Sequence, residues 1–284
     1  MKGEDVMSSP FIMLSFGFAR IEKGGVKLRK DIREQLVAMS ENDYQKFSSA
    51  LIPGVENMLG IRLPRLRAVA KEIAKSDWRE AIADADYYFE ERMLRGMVLS
   101  YASKDMDEML PLIAEFIPMV DNWSICDSVF MGMDIFQKDR ERSWKFIEPY
   151  LQSHKEFEVR VAVIIMMQHL LKCDKNGEKI TRLRTVNMSQ LSDASEEKGL
   201  YIARVLEEID KVDTTDYYAS MAVSWLITEA FCCYPYHTYE YMKNCNLDDR
   251  TYNKGIQKIV ESRIPTVEVK DLMRGMKRRY IILK

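Results

Sequence analysis

Apolar residues recur every three to four positions through most of this chain, the spacing of one buried face on an α-helix. The spacing predicts helices over 27–39 and 44–51, and a third that leads from the Gly60 turn through residue 75. Helical pairs follow: 87–102 with 106–119, 122–133 with 139–151, 155–171 with 200–211, 216–233 with 237–244, and 248–262 with 267–279. Ser40-Glu-Asn-Asp43 and Pro53-Gly54 are breaks, and Pro64 suits a first helical turn. Connections are short and polar, as between packed antiparallel helices. The stretch 173–198 is the exception. It is polar, with apolar residues only at intervals, and reads as an inserted surface loop with a short helix near 183–191.

The pairs repeat. With Phe89, Trp123, Phe157, Tyr218 and Tyr252 in phase, the intervals are 34, 34, 61 and 34, and the insertion absorbs the excess of 27. Lys104, Lys138 and Lys172 share a later phase. A period of this length marks an array of supersecondary units, none able to bury its apolar face alone. The expectation is a single all-α domain over 1–284, an α-solenoid of helix pairs, with 1–26 as an N-terminal arm. The apolar run 10–19 within that arm is short and has no basic leader or small-residue cleavage site, so a helix docked on the first repeat, or an arm peculiar to this kind of protein, is expected rather than a signal peptide.

Composition narrows this picture. Hydrophobic residues make up 47%, enough for a sizeable core, and only 12 Gly and 8 Pro occur, which favours helices over many-turned sheet. No stretch of 18 apolar residues exists, so no membrane span is expected. The five cysteines fit no zinc ribbon, and the three histidines have no ligand spacing. Reduced thiols, no metal site and a cytoplasmic location are therefore expected. The net charge is −2 and the pI about 6.1, so any phosphate-binding surface has to be a local patch.

Candidate chemistry lies on one face of the repeats. Asp127 follows Trp123 by four positions, and Asp121 is placed to cap their helix. Arg160 sits at the equivalent of Asp127 less one, in a run that is otherwise almost wholly apolar. A guanidinium stays charged and is seldom buried without a partner, and Asp127 one repeat earlier is the natural one. Two readings stand here: a structural bridge between repeats with Trp123 as core, or a functional carboxylate held by an arginine.

Gly60-Ile-Arg-Leu-Pro-Arg-Leu-Arg67, Asp121-Asn-Trp-x-x-x-Asp127, the Arg160 helix and Tyr217-Tyr218 followed by Trp225 occur in this order. Together they resemble the DNA alkylation repair enzyme family, the AlkD-like glycosylases built of HEAT-like repeats, over roughly residues 31–262. The resemblance implies excision of N3- or N7-alkylated purines, such as 3-methyladenine and 7-methylguanine, from double-stranded DNA. It further implies no cofactor, and catalytic roles for Trp123, Asp127 and Arg160. Trp225, Tyr217, Tyr218, Arg62, Arg65, Arg67 and Arg92 become the candidate nucleic-acid contacts, and Arg95 is expected to add to a positive concave surface. Family members often carry basic residues where this chain has Met221 and Thr228. The alternatives are an inactive paralogue that binds branched or damaged DNA and a protein–protein scaffold. A monomer is expected.

Overall fold

The computed structural model describes residues 24–83, 86–174, 176–195, 199 and 201–279. The expected arm over 1–26 falls almost entirely outside the described residues, as does the run 10–19. Among the described residues there are fourteen α-helices and no strands. They are α1 (Gly24–Ala38), α2 (Asn42–Leu51), α3 (Leu63–Ile73), α4 (Trp78–Ala81), α5 (Phe89–Ala102), α6 (Met106–Phe116) and α7 (Trp123–Phe130). The rest are α8 (Arg140–Leu151), α9 (Glu156–Ile165), α10 (Ile202–Ile209), α11 (Tyr217–Cys233), α12 (Pro235–Asn244), α13 (Asp249–Glu261) and α14 (Val267–Gly275).

Helices α3, α5, α7, α9, α11 and α13 pack consecutively, each against the next. Behind this first row, α6 covers α5, α8 covers α9, α12 covers α11 and α14 covers α13. The fold is an all-α array of packed helix pairs of the HEAT-like kind. Phe89 and Trp123 are the first residues of α5 and α7, Phe157 and Tyr218 the second of α9 and α11, and Tyr252 the fourth of α13. The 34-residue period thus marks equivalent helix starts.

α9 is the most enclosed member of the row. Every residue from Val159 to Ile165 is buried, because α7, α8 and α11 all lean on it. It continues beyond Ile165 as a π-helical turn, Met166–Leu170. Inside that turn His169 is buried, with Nε2 2.7 Å from the Phe130 carbonyl and Nδ1 3.0 Å from Gln137. Burial lowers its pKa to about 4, so the ring is neutral and donates from Nε2 while Gln137 donates to Nδ1.

Expectations about pairing and local structure are corrected: α8 packs chiefly on α9 rather than on α7, and α10 on α12 rather than on α9. No helix forms over 183–191. Leu183 N instead donates to Cys232 O, Val186 N to Ile264 O, and Thr266 N to Val186 O. Val186 and Leu191 are buried. The stretch is a strap tied by main-chain bonds to the end of α11 and to the loop before α14, and its spaced apolar residues are anchors. Asp121 does not cap α7; Asn122 does, accepting from Ile125 N at 3.0 Å. Asp121 instead accepts from Asn122 Nδ2 and pairs with Arg92. All five cysteines are free and buried, and no helix among the described residues is long and apolar enough to cross a membrane.

Candidate active site

The helix starts align along the first row, and polar side chains cross from each helix to its neighbour near those starts. Buried Glu90, in the first turn of α5, accepts from Leu59 N, Gly60 N and Ile61 N at 2.9, 2.7 and 3.2 Å. Glu156, in the first turn of α9, accepts from Tyr218 N at the start of α11. That start has no side-chain cap of its own. Each carboxylate satisfies amides that a helix or turn leaves open, and lies where the helix dipole favours negative charge.

Asp127 and Arg160 form another of these crossings. Arg160 Nε donates to Asp127 Oδ1 at 3.0 Å and Nη2 to Oδ2 at 2.8 Å, a bidentate fork between α7 and α9. Nη1 donates to the Tyr218 carbonyl at 2.9 Å, so the same guanidinium also holds α11. The Arg160 side chain is 6% exposed and that of Asp127 16%. Burial works to lower the Arg160 pKa, but the paired carboxylate outweighs it and the value is raised. Cys126, wholly buried beside the pair, has its thiol pushed well up by burial and by the Asp127 charge. The carboxylate therefore has a fixed orientation and keeps a small solvent exposure.

The tryptophans are less free than their spacing suggested. Trp123 is on the Asp127 face, one turn earlier. Its Nε1 donates to Leu51 O at 3.3 Å, and the ring lines a slot of about 120 Å³ with Tyr44, Phe47, Leu51 and Phe89. Trp225 Nε1 donates to Glu229 Oε1 at 3.2 Å. Tyr218 packs on Phe157, ring centroids 5.3 Å apart, while Tyr217 stands edge-on to Tyr218 and is 58% exposed.

The candidate arginines are mostly engaged with carboxylates. Arg62 and Arg65 both bond Glu41, at 2.9 and 3.0 Å, Arg92 pairs with Asp121, and Arg95 with Asp86. Arg67 bonds neutral acceptors, Ser128 O at 2.9 Å and Tyr101 Oη at 3.2 Å, which sets it beside Asp127 in sequence register. Thr228 turns its hydroxyl back to Ser224 O at 3.0 Å. Sequence reasoning missed Lys258 and Lys254 on α13. Burial lowers the Lys258 pKa against the pull of Glu261, and the nearby charges of Lys254 and Arg160 lower it further. It also missed buried Glu229, bonded by Arg182 from the strap and by Lys172 at 3.1 Å. A lone acid four residues after Trp225 in the apolar α11 was the available signal.

Adjacent units of the array thus share a buried arginine and a partly exposed carboxylate. The family model described as "DNA alkylation repair enzyme" matches residues 32–189. The chain belongs to that family. No curated protein matches it.

Proposed function

We propose that this protein is a DNA glycosylase that hydrolyses the N-glycosidic bond of N3- or N7-alkylated purines in duplex DNA. The observation that carries the reading is the bidentate Asp127–Arg160 pair, with the carboxylate still partly exposed. An alkylated purine already bears positive charge. When the C1′–N bond breaks, its electron pair leaves with the base and neutralises that charge, so no general acid is needed. The charge passes to the sugar, whose oxocarbenium character a nearby carboxylate stabilises. Two unit charges 4 Å apart at a protein surface interact by about 4 kcal/mol. Arg160 offsets part of that, and in exchange holds Asp127 in one orientation through its two hydrogen bonds. Water then adds to C1′, and Asp127 orients it and accepts its proton. Tyr217, exposed beside this pair, offers a flat apolar face to the nucleic acid.

Single-turnover release of free 7-methylguanine from methylated duplex DNA tests the reading. Excision at a rate well above spontaneous depurination is the expected result; none at saturating protein rejects it. A second reading, an inactive paralogue that binds damaged or branched DNA, draws support from one feature. Arg62, Arg65, Arg92 and Arg95 are all paired with acids, which reduces the positive potential available for holding duplex DNA. Binding without excision would select it.

A further inference from the structure

The inserted segment has no part in the chemistry above, yet it is pinned in place. Its backbone bonds to the end of α11 and to the loop before α14 set Arg182 over buried Glu229, with Nε 2.9 Å from Oε2. Arg182 thereby becomes one wall of a solvent-open cleft of about 440 Å³. Trp225, Thr228, Lys258, Glu261 and Arg263 complete the functional part of its lining. Three cations face two carboxylates across this cleft, and Lys172, bonded to Glu229 from behind, makes the balance four to two. Glu229 has both oxygens engaged, so it cannot compensate a further cation. Arg182 is 50% exposed and spends only part of its donor set on Glu229, leaving N–H groups toward solvent. Arg263 is exposed and Lys258 half-buried.

The cleft adjoins the Asp127–Arg160 pair through α11. Arg160 holds Tyr218 O, and Trp225 lies seven residues further along the same helix face. Seven residues of α-helix span roughly 10 Å, on the order of three phosphates along one DNA strand. Trp225 adds an aromatic ring to the lining. Thr228 and Met221 leave α11 itself without a basic residue on this face.

We infer that the strap builds a phosphate subsite: Arg182, Lys258 and Arg263 together grip the DNA backbone a few nucleotides from the base seated at Asp127. The placement of that base rests on the proposed function above; the contact with DNA backbone does not require excision. Positive charge that the repeat helix lacks is supplied from a different part of the chain, because the strap crosses the ends of α11 and α13 at this point.

The test is the salt dependence of binding to an unmodified duplex, followed by fluorescence anisotropy on the full chain. Each phosphate contact contributes about 0.9 to the slope of log affinity against log salt. Lys258→Gln with Arg263→Gln should make the slope shallower by nearly two, and Arg182→Gln by about one. Lys145→Gln, an exposed cation on α8 in the second row, should leave it unchanged. Arg182→Gln removes one partner of a buried carboxylate, so its thermal melt is recorded alongside, and the Lys258/Arg263 pair stands as the variant that disturbs no buried ion pair. A wild-type slope in the Lys258/Arg263 variant overturns the subsite. A reduced slope there with a wild-type slope in folded Arg182→Gln overturns the role of the strap. Excision of 7-methylguanine is measured separately. Its absence in the wild type rejects the glycosylase reading, while a shallower slope in the variants still supports the subsite.

Discussion

A buried guanidinium in an apolar helix has to find a carboxylate, and Arg160 finds Asp127 with both oxygens and a third acceptor, Tyr218 O. Asp127→Asn keeps the shape and removes the charge. If the carboxylate stabilises a sugar cation, single-turnover excision should fall by about 10²–10³. Duplex affinity should hold or rise slightly, since a negative charge facing phosphates is gone. Arg160→Ala leaves Asp127 and the Tyr218 carbonyl without their donor, and should weaken binding and excision together. The same variant should destabilise the fold by about 3 kcal/mol in urea, the low end for a broken buried pair because Asp127 keeps some exposure. Equal excision by wild type and Asp127→Asn would sink the catalytic assignment. His169 carries a different prediction. Its folded pKa of about 4 lies below the ordinary 6.5, so the unfolded chain takes up a proton before the folded chain does. Stability that is present above pH 6.5 is lost as pH falls toward 4, at up to about 1.4 kcal/mol per pH unit. Urea midpoints at pH 7 and pH 5 should diverge more in the wild type than in His169→Gln.

At the scale of elements, adjacent first-row helices are fastened by first-turn acids. Glu90 serves the turn before α3, and Glu156 the start of α11. The turn held by Glu90 shows why Gly60 stands in the motif that led to the family. Gly60 has φ +77°, and a Cβ there would lie 2.5 Å from the Gln45 backbone nitrogen. Neither the conformation nor the space admits a side chain. Gly60→Ala should therefore destabilise by about 2–3 kcal/mol, combining the left-handed backbone with displacement of α2. Because α2 also carries the Leu51 carbonyl that holds Trp123, the same variant should shift Trp fluorescence before global unfolding. A wild-type denaturation midpoint would show that α2 yields without cost.

For the molecule as a whole, a net charge of −2 and a DNA-directed family are compatible when charge is unevenly placed. The described structure brings Arg182, Lys258 and Arg263 together around α13 and the strap, while Arg62, Arg65, Arg92 and Arg95 are each paired with a carboxylate. Glu41 alone engages both Arg62 and Arg65, whose guanidiniums pull its pKa down. Glu41→Gln should release two cations at the start of α3. Duplex binding should tighten several-fold at low salt, and the salt slope steepen by up to about two. Unchanged affinity and slope in an anisotropy titration would mean that this end of the row does not meet DNA.

The sequence by itself determined the first-row helices, the period and the need for an acid opposite Arg160. These follow from local rules: backbone geometry sets which residues share a face, and burial of a charge demands a partner. Phe89, Trp123, Phe157, Tyr218 and Tyr252 could be aligned without coordinates because equivalent packing contacts recur at equal chain separation. Only the tertiary structure decided which charges cancel. Glu41 against Arg62, Asp121 against Arg92 and Arg182 against Glu229 lie 21, 29 and 47 residues apart. Their pairing depends on where remote segments cross, and no periodicity encodes it. The helix expected near 183–191 does not form for the same reason: the amides and carbonyls there bond to residues of α11 and the α14 approach, partners that composition within 173–198 cannot reveal.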